Sequence, residues 1–374
     1  MCQIRYTKMS IQYQQKFPPQ DIRLEKVVAL IGRANASLSR YDGLLESLVN
    51  PEVMLSPLVM KEAELSSRIE GTIATANEVY QQQAGEKFTP EKDADIHEIL
   101  NYRSTLRNAG EILGRSSLSL HLLRQMHENL MQGVRGEDKN PGQFRSTQNW
   151  IGPRGCTIDQ ATYVPPAPYV LQELLEQFIE FVNKTDDSID PIVQAAMIHA
   201  QFELIHPFDD GNGRIGRILI PLFLMRRGSI VSPSLYISGY LESNRDKYYQ
   251  CLENISDKGD WLGWIEFFLN AVIEQSENNL ILVRKIISLY EQKKREISDL
   301  LRSDQSIYIL DMLFDTPVFR ANELHRRLHI QRQRAAQYIR ALKDSGIIIE
   351  IRPSRGRTPA LLSFEDLWHI TDRQ

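Results

Sequence analysis

Cysteine is scarce in this chain: three occur among 374 residues, at Cys2, Cys156 and Cys251, far apart and without a Cys-x-x-Cys pair. So few thiols exclude a disulfide framework and a cysteine-ligated zinc site. Long apolar runs are missing too, since none approaches the ~20 residues that cross a bilayer. The first residues also lack the apolar region of a signal peptide. We therefore expect a protein of the reducing cytoplasm that makes no membrane contact.

The sequence also lacks a large excess of charge of either sign. Its 44 Lys and Arg residues nearly balance 48 Asp and Glu residues, which gives a net charge of −4 and a pI near 6.1. This balance argues against a protein that is basic over its whole surface, although it permits a local basic face. With 42% hydrophobic residues, the chain can form a sizeable core and a second domain.

Helical periodicity dominates the first 300 residues and predicts a mainly α fold, a helical bundle. The predicted helices are Glu25–Asn35, Leu58–Ile69, Lys92–Leu113, Val170–Val182, Pro191–Leu204, Arg214–Arg227, Ser243–Asn254, Trp261–Glu277 and Asn279–Leu300. We expect Gly228 to end the Arg214–Arg227 helix.

A segment rich in glycine and proline, residues 133–168, interrupts the helices. Within it, Phe144–Ile151 and Thr162–Val164 have the composition of short strands on either side of a Gly152-Pro-Arg-Gly155 turn. These residues predict a β-hairpin that projects from the bundle as a flap.

The last part of the chain differs in character from the rest. Its predicted helices and strands are Ser306–Phe314, Ala321–Leu328, Arg332–Ser345, Ile347–Ile351 and Ala360–Ser363, the two strands flanking a Pro-Ser-Arg-Gly-Arg turn. This order is the plan of a small winged-helix domain. The charge balance of residues 301–374 is +3, against −4 for the whole chain. We place the domain boundaries at 1–110, 111–300 and 301–374.

One motif dominates the sequence: His206-Pro-Phe-Asp-Asp-Gly-Asn-Gly-Arg-Ile-Gly-Arg217. Gly211 and Gly213 tolerate unusual backbone angles at the entry to a helix and let the backbone approach a ligand closely. The free N–H groups of that helix start, with its positive dipole end, form an anion pocket. Arg214 and Arg217 add guanidinium donors one turn apart.

The remaining polar residues of the motif complete a polyphosphate site. Asp210 is placed to hold Mg²⁺, which prefers one or two carboxylates together with phosphate oxygens. His206 can remove a hydroxyl proton near neutral pH. Taken singly, the His-Pro pair, the Gly-Asn-Gly turn and the arginines have ordinary structural explanations, and Asp209 is an exposed turn residue. Their combination favours in-line attack on a phosphate.

The motif resembles the signature His-Pro-Phe-x-[Asp/Glu]-Gly-Asn-Gly-Arg-x-x-Arg of Fic-domain proteins, which transfer AMP from ATP to hydroxyl side chains of target proteins. The resemblance implies a Fic-type helical bundle in which His206 deprotonates the target Ser, Thr or Tyr and Asp210 binds Mg²⁺. It also implies that Arg214 holds the α- and β-phosphates and Arg217 the γ-phosphate. The ATP contacts implied within the motif are His206, Gly211, Asn212, Gly213, Arg214, Ile215, Gly216 and Arg217.

A second, upstream motif, Ser66-Ser-Arg-Ile-Glu70-Gly71, resembles the family's inhibitory [Ser/Thr]-x-x-x-Glu-[Gly/Asn] pattern. Ser66 and Glu70 are four residues apart on a predicted helix and therefore face the same way. The resemblance implies that Glu70 pairs with Arg217 and displaces the γ-phosphate of ATP. Two alternatives stay open: Glu70 is an ordinary exposed helix acid, or it supports the removal of AMP.

Two further regions carry weaker signals. Phe144–Gly152 and Ala161–Pro166 resemble the family's flap, whose exposed edge can pair with an extended target segment, although an ordinary surface hairpin explains them equally well. Tyr240, Asn244 and Tyr248 are candidates for the wall that contacts adenine and ribose. Tyrosines at helical spacing are, however, more often core residues.

Three functions follow as hypotheses. The first is an Mg²⁺-dependent protein adenylyltransferase, inhibited by Glu70, that modifies other proteins; modification of the protein itself is compatible with it. The second is an ATP-sensing DNA-binding regulator, because Gln331–Arg340 and the arginines 352, 355 and 357 suit phosphate and base contacts. A winged helix can instead bind a protein partner. The third is removal of AMP from a modified protein by Glu70. Family members of this layout often self-associate, so we expect a homodimer.

Overall fold

The computed structural model describes residues 11–12, 16–19, 22–134, 139–153, 155–185 and 188–371. Helices account for most of this part of the chain. They are α1 (Val28–Glu46), α2 (Pro51–Ile69), α3 (Ala76–Gln83), α4 (Pro90–Leu113), α5 (Leu120–Leu130), α6 (Leu171–Asn183), α7 (Pro191–Ile205), α8 (Asn212–Arg226), α9 (Ser238–Ser243), α10 (Arg245–Lys258), α11 (Trp261–Leu301), α12 (Ser306–Asp315), α13 (Glu323–Arg327), α14 (Arg332–Asp344) and α15 (Glu365–Thr371). Within the described ranges, no helix has both the length and the apolar content to cross a bilayer.

The strands among the described residues are short. They are β1 (Ile11–Gln12), β2 (Tyr163–Val164), β3 (Val318–Arg320), β4 (Ile349–Arg352) and β5 (Leu361–Ser363). β1 and β2 pair in parallel, whereas β5 lies between β3 and β4 in an antiparallel sheet.

The helices α7 and α8 form the centre of the core. Every residue of α7 from Ile192 to Ile205 is buried except Glu203, and α8 is buried from Arg214 through Leu224. A helix that is apolar on all sides must be enclosed by other elements, and α7 is flanked by α6, α8 and α11. The turn that joins α7 to α8 carries residues 206–211, so the motif is built on the most enclosed pair of helices.

Several predicted helix boundaries were wrong. The predicted helix Glu25–Asn35 is α1, Val28–Glu46, and the predicted helix Leu58–Ile69 begins at Pro51, because proline is accepted in the first turn of a helix. One helix, α11, replaces the two predicted helices Trp261–Glu277 and Asn279–Leu300. Asn278, between them, is neither glycine nor proline, and the buried apolar stripe continues through Leu282, Val283 and Ile286. The predicted helix Ser243–Asn254 divides at Asn244, whose φ of −116° and ψ of 33° separate α9 from α10.

The predicted flap is largely not a β-hairpin. Tyr163–Val164 is a strand, but Phe144–Ile151 is not, and a single antiparallel bridge joins Ile151 to Tyr163. Hydrogen bonds from this segment reach the α7–α8 turn: Arg145 N donates to Pro207 O (2.9 Å) and Asn149 Nδ2 to Phe208 O (3.1 Å). Arg154, in the predicted turn, lies outside the described residues.

The elements from α12 to α15 follow the predicted order with two additions, β3 and α15. The predicted helix Ala321–Leu328 is shorter, Glu323–Arg327, because β3 precedes it. α12 packs against both α2 and α11. α11 ends at Leu301, close to the boundary that we placed at residue 300. The division into three domains and the winged-helix assignment remain predictions.

Candidate active site

Two residues in the left-handed backbone conformation let the chain reverse direction in the α7–α8 turn. His206 ends α7 with φ 49°, and Gly211 precedes α8 with φ 75°, a conformation that glycine adopts without steric cost. Asn212 closes the turn, because its Oδ1 accepts from Phe208 N and its Nδ2 donates to Phe208 O, both at 2.9 Å. The turn is therefore fixed by its own residues.

His206 has the tautomer of a general base. Its Nδ1 lies 3.3 Å from the backbone oxygen of Glu203. A carbonyl oxygen can only accept, so Nδ1 carries the proton and Nε2 keeps a free lone pair. Burial lowers the pKa of His206 to about 4, so the imidazole is neutral at pH 7 and able to take a proton.

Two residues outside the motif hold this turn in place. Arg145, 3% exposed, donates through Nε to His206 O (2.9 Å) and through Nη2 to Ile205 O (3.3 Å). His127 of α5 stacks on Phe208 with ring centroids 3.8 Å apart, and its Nε2 lies 3.0 Å from Asp210 O. Since His127 Nδ1 accepts from Gly142 N (2.9 Å), Nε2 is the donor to Asp210.

Asp210 lies at the open side of the turn. Its side chain is 48% exposed, and Oδ1 accepts from Gly211 N at 2.5 Å and lies 3.7 Å from Arg214 Nη2. In the described part of the chain, no group of three or more His, Cys, Asp or Glu side chains is arranged to hold a metal ion. The donors present therefore fit Mg²⁺ only as a single carboxylate that leaves the other positions to phosphate oxygens and water.

Arg217 forms the ion pair that the upstream motif implied. It is 1% exposed, and its Nη2 donates to Glu70 Oε1 at 2.6 Å. Its Nε donates to Ser66 Oγ (2.8 Å) and its Nη2 also to Ser66 O (2.9 Å). Burial alone raises the pKa of Glu70, but the charge and hydrogen bond of Arg217 outweigh it, so the pKa is lowered and Glu70 is ionised.

Glu70 lies directly over the first turn of α8. A Cβ atom added to Gly213 would lie 2.2 Å from Glu70 Oε1. The glycine therefore makes room for the carboxylate at the helix start, the place where an anionic ligand is favoured.

Comparison with known proteins identifies the family of this chain. Residues 28–111 match the family described as Fic/DOC family N-terminal, and residues 117–224 match the Fic/DOC family. The chain belongs to the Fic/DOC family. It is 31% identical over 184 residues to the protein adenylyltransferase Fic of Culex quinquefasciatus, covering 48% of this chain and 33% of that one. It is 28% identical to a probable protein adenylyltransferase of Aquifex aeolicus, covering 45% and 49%.

Solved structures support the same Fic helical bundle. A Fic family protein from Desulfovibrio desulfuricans superposes with a TM-score of 0.59 at 20% identity over 94% of this chain and 98% of that chain. C. elegans Fic-1 superposes with a TM-score of 0.51 at 21% identity over 72% and 75%. The chain spans about a third to a half of the length of the curated relatives named above.

The predicted adenine wall of this Fic domain is only partly exposed. Tyr248 is 1% exposed, and its hydroxyl lies 2.9 Å from His199 Nε2 within an aromatic cluster that includes Trp264. Tyr248 is therefore a core residue in this structure, which is what tyrosines at helical spacing more often are. Asn244 and Tyr240 are half-buried, and Asn244 Nδ2 donates to Tyr240 O at 3.0 Å. A contact of these residues with ATP stays a prediction.

Sequence reasoning missed Glu203, which lies under the first turn of α8. Burial raises the pKa of its carboxyl to about 8. A Cβ on Gly216 would lie 2.6 Å from Glu203 Oε1, which explains the glycine at this motif position. No local pattern marked Glu203, because it stands alone as an acid on a helix whose other residues from Ile192 to Ile205 are buried.

Proposed function

We propose that this Fic domain transfers AMP from ATP to Ser, Thr or Tyr hydroxyls of target proteins. The observation that carries the proposal is the tautomer of His206, whose Nδ1 faces Glu203 O. His206 lies in the turn that leads to the start of α8, where Gly211 precedes two buried arginines. The names of the curated relatives support the same reaction class.

The proposed reaction is an in-line displacement at the α-phosphorus. His206 Nε2 takes the proton of the target hydroxyl, the oxygen forms a bond to the α-phosphorus, and the bond to the bridging oxygen of pyrophosphate breaks. The N–H groups at the start of α8 and Arg214 stabilise the charge on the phosphate oxygens. Asp210 would hold Mg²⁺, which neutralises phosphate charge when bound.

Glu70 is proposed as the built-in inhibitor of this reaction. Its carboxylate occupies the side of Arg217 that the γ-phosphate needs, and it lies over Gly213 at the helix start. ATP must therefore displace Glu70 to bind with its triphosphate in line. Alternatively, the ionised Glu70 acts as the base in removal of AMP. Loss of AMP from an AMP-modified target during incubation with the protein would detect this activity.

Intact-mass measurement with ATP and Mg²⁺ tests the proposal. The Glu70→Gly protein should gain one AMP on itself or transfer AMP to proteins of a lysate, and the wild type should do so far more slowly. A Glu70→Gly/His206→Ala protein is the matched control and should show no transfer. Transfer that is equal with and without His206 would contradict the proposal.

The loop 144–152 is proposed as the docking site for the target. It lies against the α7–α8 turn, and Trp150 there is 42% exposed. Because β1 and Ile151 occupy both edges of β2, an extended target segment would pair with the backbone N-terminal to Ile151. We also propose a homodimer, which sedimentation velocity tests.

A second candidate function is DNA binding by the C-terminal elements, and one groove favours it. This groove of about 690 Å³ lies between α13 and α14 and is lined by His325, Arg326, Arg332, Arg340 and Lys343, with Asp344 as the acid. Such a surface suits phosphates. Arg334 instead bonds to the Tyr338 hydroxyl at 2.6 Å.

A gel-shift titration against salt tests DNA binding. Wild type should bind duplex DNA with an affinity that falls steeply with salt. Arg332→Ala/Arg340→Ala should lose most of this affinity, whereas Arg295→Ala, on the exposed face of α11, should not. No shift at low salt, or equal shifts by all variants, would contradict this function.

A further inference from the structure

A buried carboxylate on α4 connects the Glu70 segment with the first turn of α8. Glu98 is 2% exposed, and its Oε2 accepts a hydrogen bond from Thr72 Oγ1. The same oxygen lies 3.4 Å from Nη1 of Arg214, and both side chains of this ion pair are buried. Since Thr72 follows Glu70 by two residues, one oxygen contacts both the inhibitory segment and a motif arginine.

The segment from residue 66 to residue 73 is held at both ends. At its start, Ser66 is bonded to Arg217 through its hydroxyl and its backbone oxygen. At its end, Thr72 is bonded to Glu98, and the next backbone N–H, that of Ile73, donates to Asp95 Oδ2 at 3.0 Å. Glu70 lies between these two attachments, so its position over Arg217 depends on both.

We propose that Glu98 is a positioning residue with two roles: it orients Arg214 for phosphate binding, and through Thr72 it holds the segment that presents Glu70 to Arg217. This inference rests on the proposed AMP transfer and deepens it. In this proposal, the inhibited state depends on the contact between Thr72 and Glu98 of α4 as well as on the Glu70–Arg217 pair.

The geometry explains why one residue can have both roles. Glu98 lies beside Nη1 of Arg214, whereas Nη2 of the same guanidinium lies 3.7 Å from Asp210 Oδ1 and donates to Met131 Sδ at 3.6 Å. The nitrogen beside the exposed turn is thus the one presented to a phosphate. A hydrogen bond to a carboxylate is stronger than one between neutral groups. The bond from the Thr72 hydroxyl to Glu98 therefore holds this end of the segment strongly.

Substitution of Thr72 tests the inhibitory role, with ATP affinity measured by calorimetry in Mg²⁺. Thr72→Val should bind ATP more tightly than wild type by roughly tenfold or more, the factor of one lost hydrogen bond to a charged group. Thr72→Ser keeps the donor and should match wild type. Thr105→Val is the matched control, because Thr105 is buried on α4 and its Oγ1 has no hydrogen-bond partner among the described residues.

The same substitution in a Glu70→Gly background separates this inference from the proposed function. Thr72→Val should then change ATP affinity no further, since no inhibitor is left to release. The inference alone is wrong if Glu70→Gly binds ATP tightly but Thr72→Val matches wild type. It is also wrong if Thr72→Val still changes ATP affinity in the Glu70→Gly background. If Glu70→Gly neither binds ATP better nor transfers AMP, the proposed function fails as well.

Substitution of Glu98 tests the role towards Arg214. In the Glu70→Gly background, Glu98→Gln removes the charge but keeps an oxygen that can accept from Thr72. ATP affinity should fall roughly tenfold or more, since a charged partner of Arg214 is lost. Glu111→Gln, exposed on the same helix, should have no effect. Unchanged affinity in a Glu98→Gln protein with wild-type Tm would overturn this role.

Discussion

At the scale of single residues, Arg217 is the group around which the site is organised. It is buried, charged and bonded to Ser66 and Glu70 at the same time. A buried cation is costly unless it is paired, so the ion pair satisfies Arg217 and, in the proposed inhibition, also blocks it. Binding of a γ-phosphate would exchange one anionic partner for another.

The exchange of partners predicts how stability responds to ATP. Glu70→Gly should lower the free energy of unfolding by about 1–3 kcal/mol, less than for a fully buried pair because Ser66 still bonds to Arg217. ATP with Mg²⁺ should then raise Tm more in Glu70→Gly than in wild type. Differential scanning calorimetry measures both. Equal ATP-induced shifts would contradict the competition.

The protonation state of His206 gives a second prediction. Burial disfavours the imidazolium, so the pKa of about 4 lies below the ordinary histidine value. The ring should therefore stay neutral as pH falls from 7 to 5 and take its proton only below that range. An NMR titration of labelled histidine, assigned with His206→Ala, measures this pKa. A value near 6.5 would contradict the account of the free base.

At the scale of elements, the α7–α8 turn depends on α5 through His127. Two hydrogen bonds and a stacked ring join this histidine to Asp210, Gly142 and Phe208. His127 lies on the buried face of α5 with Leu123 and Met126, and it was not among the candidate residues predicted from the sequence.

His127 should therefore matter for catalysis beyond its share in packing. In the Glu70→Gly background, His127→Ala should lower kcat/KM for AMP transfer by about tenfold or more, because the Asp210 backbone loses its support. His121→Ala, exposed on the same helix, should have little effect. Steady-state kinetics separate the two, and equal rates for both variants would show that the turn needs no support from α5.

The sequence predicted those elements and site residues whose information is local. The 206–217 motif is contiguous, and the predicted helix Lys92–Leu113 nearly matches α4, Pro90–Leu113, so local patterns sufficed there. The Arg145 guanidinium, by contrast, redirects the predicted strand Phe144–Ile151 to the α7–α8 turn through tertiary hydrogen bonds. Such contacts between distant segments leave no periodic signal in the sequence.

At the scale of the whole molecule, the C-terminal elements are fastened to the helices that precede the motif. Glu86, between α3 and α4, pairs with Arg320 of β3 and Arg352 of β4, and Arg320 Nε also donates to Ala84 O at 2.9 Å. α12 packs against α2, the helix that ends at Glu70. The groove between α13 and α14 and the helix α2, which Glu70 caps, thus belong to one connected structure.

Loss of this attachment should loosen the C-terminal sheet. Glu86→Ala leaves two arginines without their shared carboxylate, so local opening should become easier by about 1–3 kcal/mol. Hydrogen exchange at β3 and β4 measures this opening. Glu91→Ala, exposed at the start of α4, is the control. Unchanged protection in Glu86→Ala would show that packing of α12 alone holds these elements.

The most direct test is a crystal structure of Glu70→Gly soaked with ATP and Mg²⁺. The account predicts the triphosphate on the N–H groups at the start of α8, with the γ-phosphate on Arg217 and the α-phosphorus facing His206 Nε2. An empty turn, or an imidazole that faces away from the bound nucleotide, would contradict it.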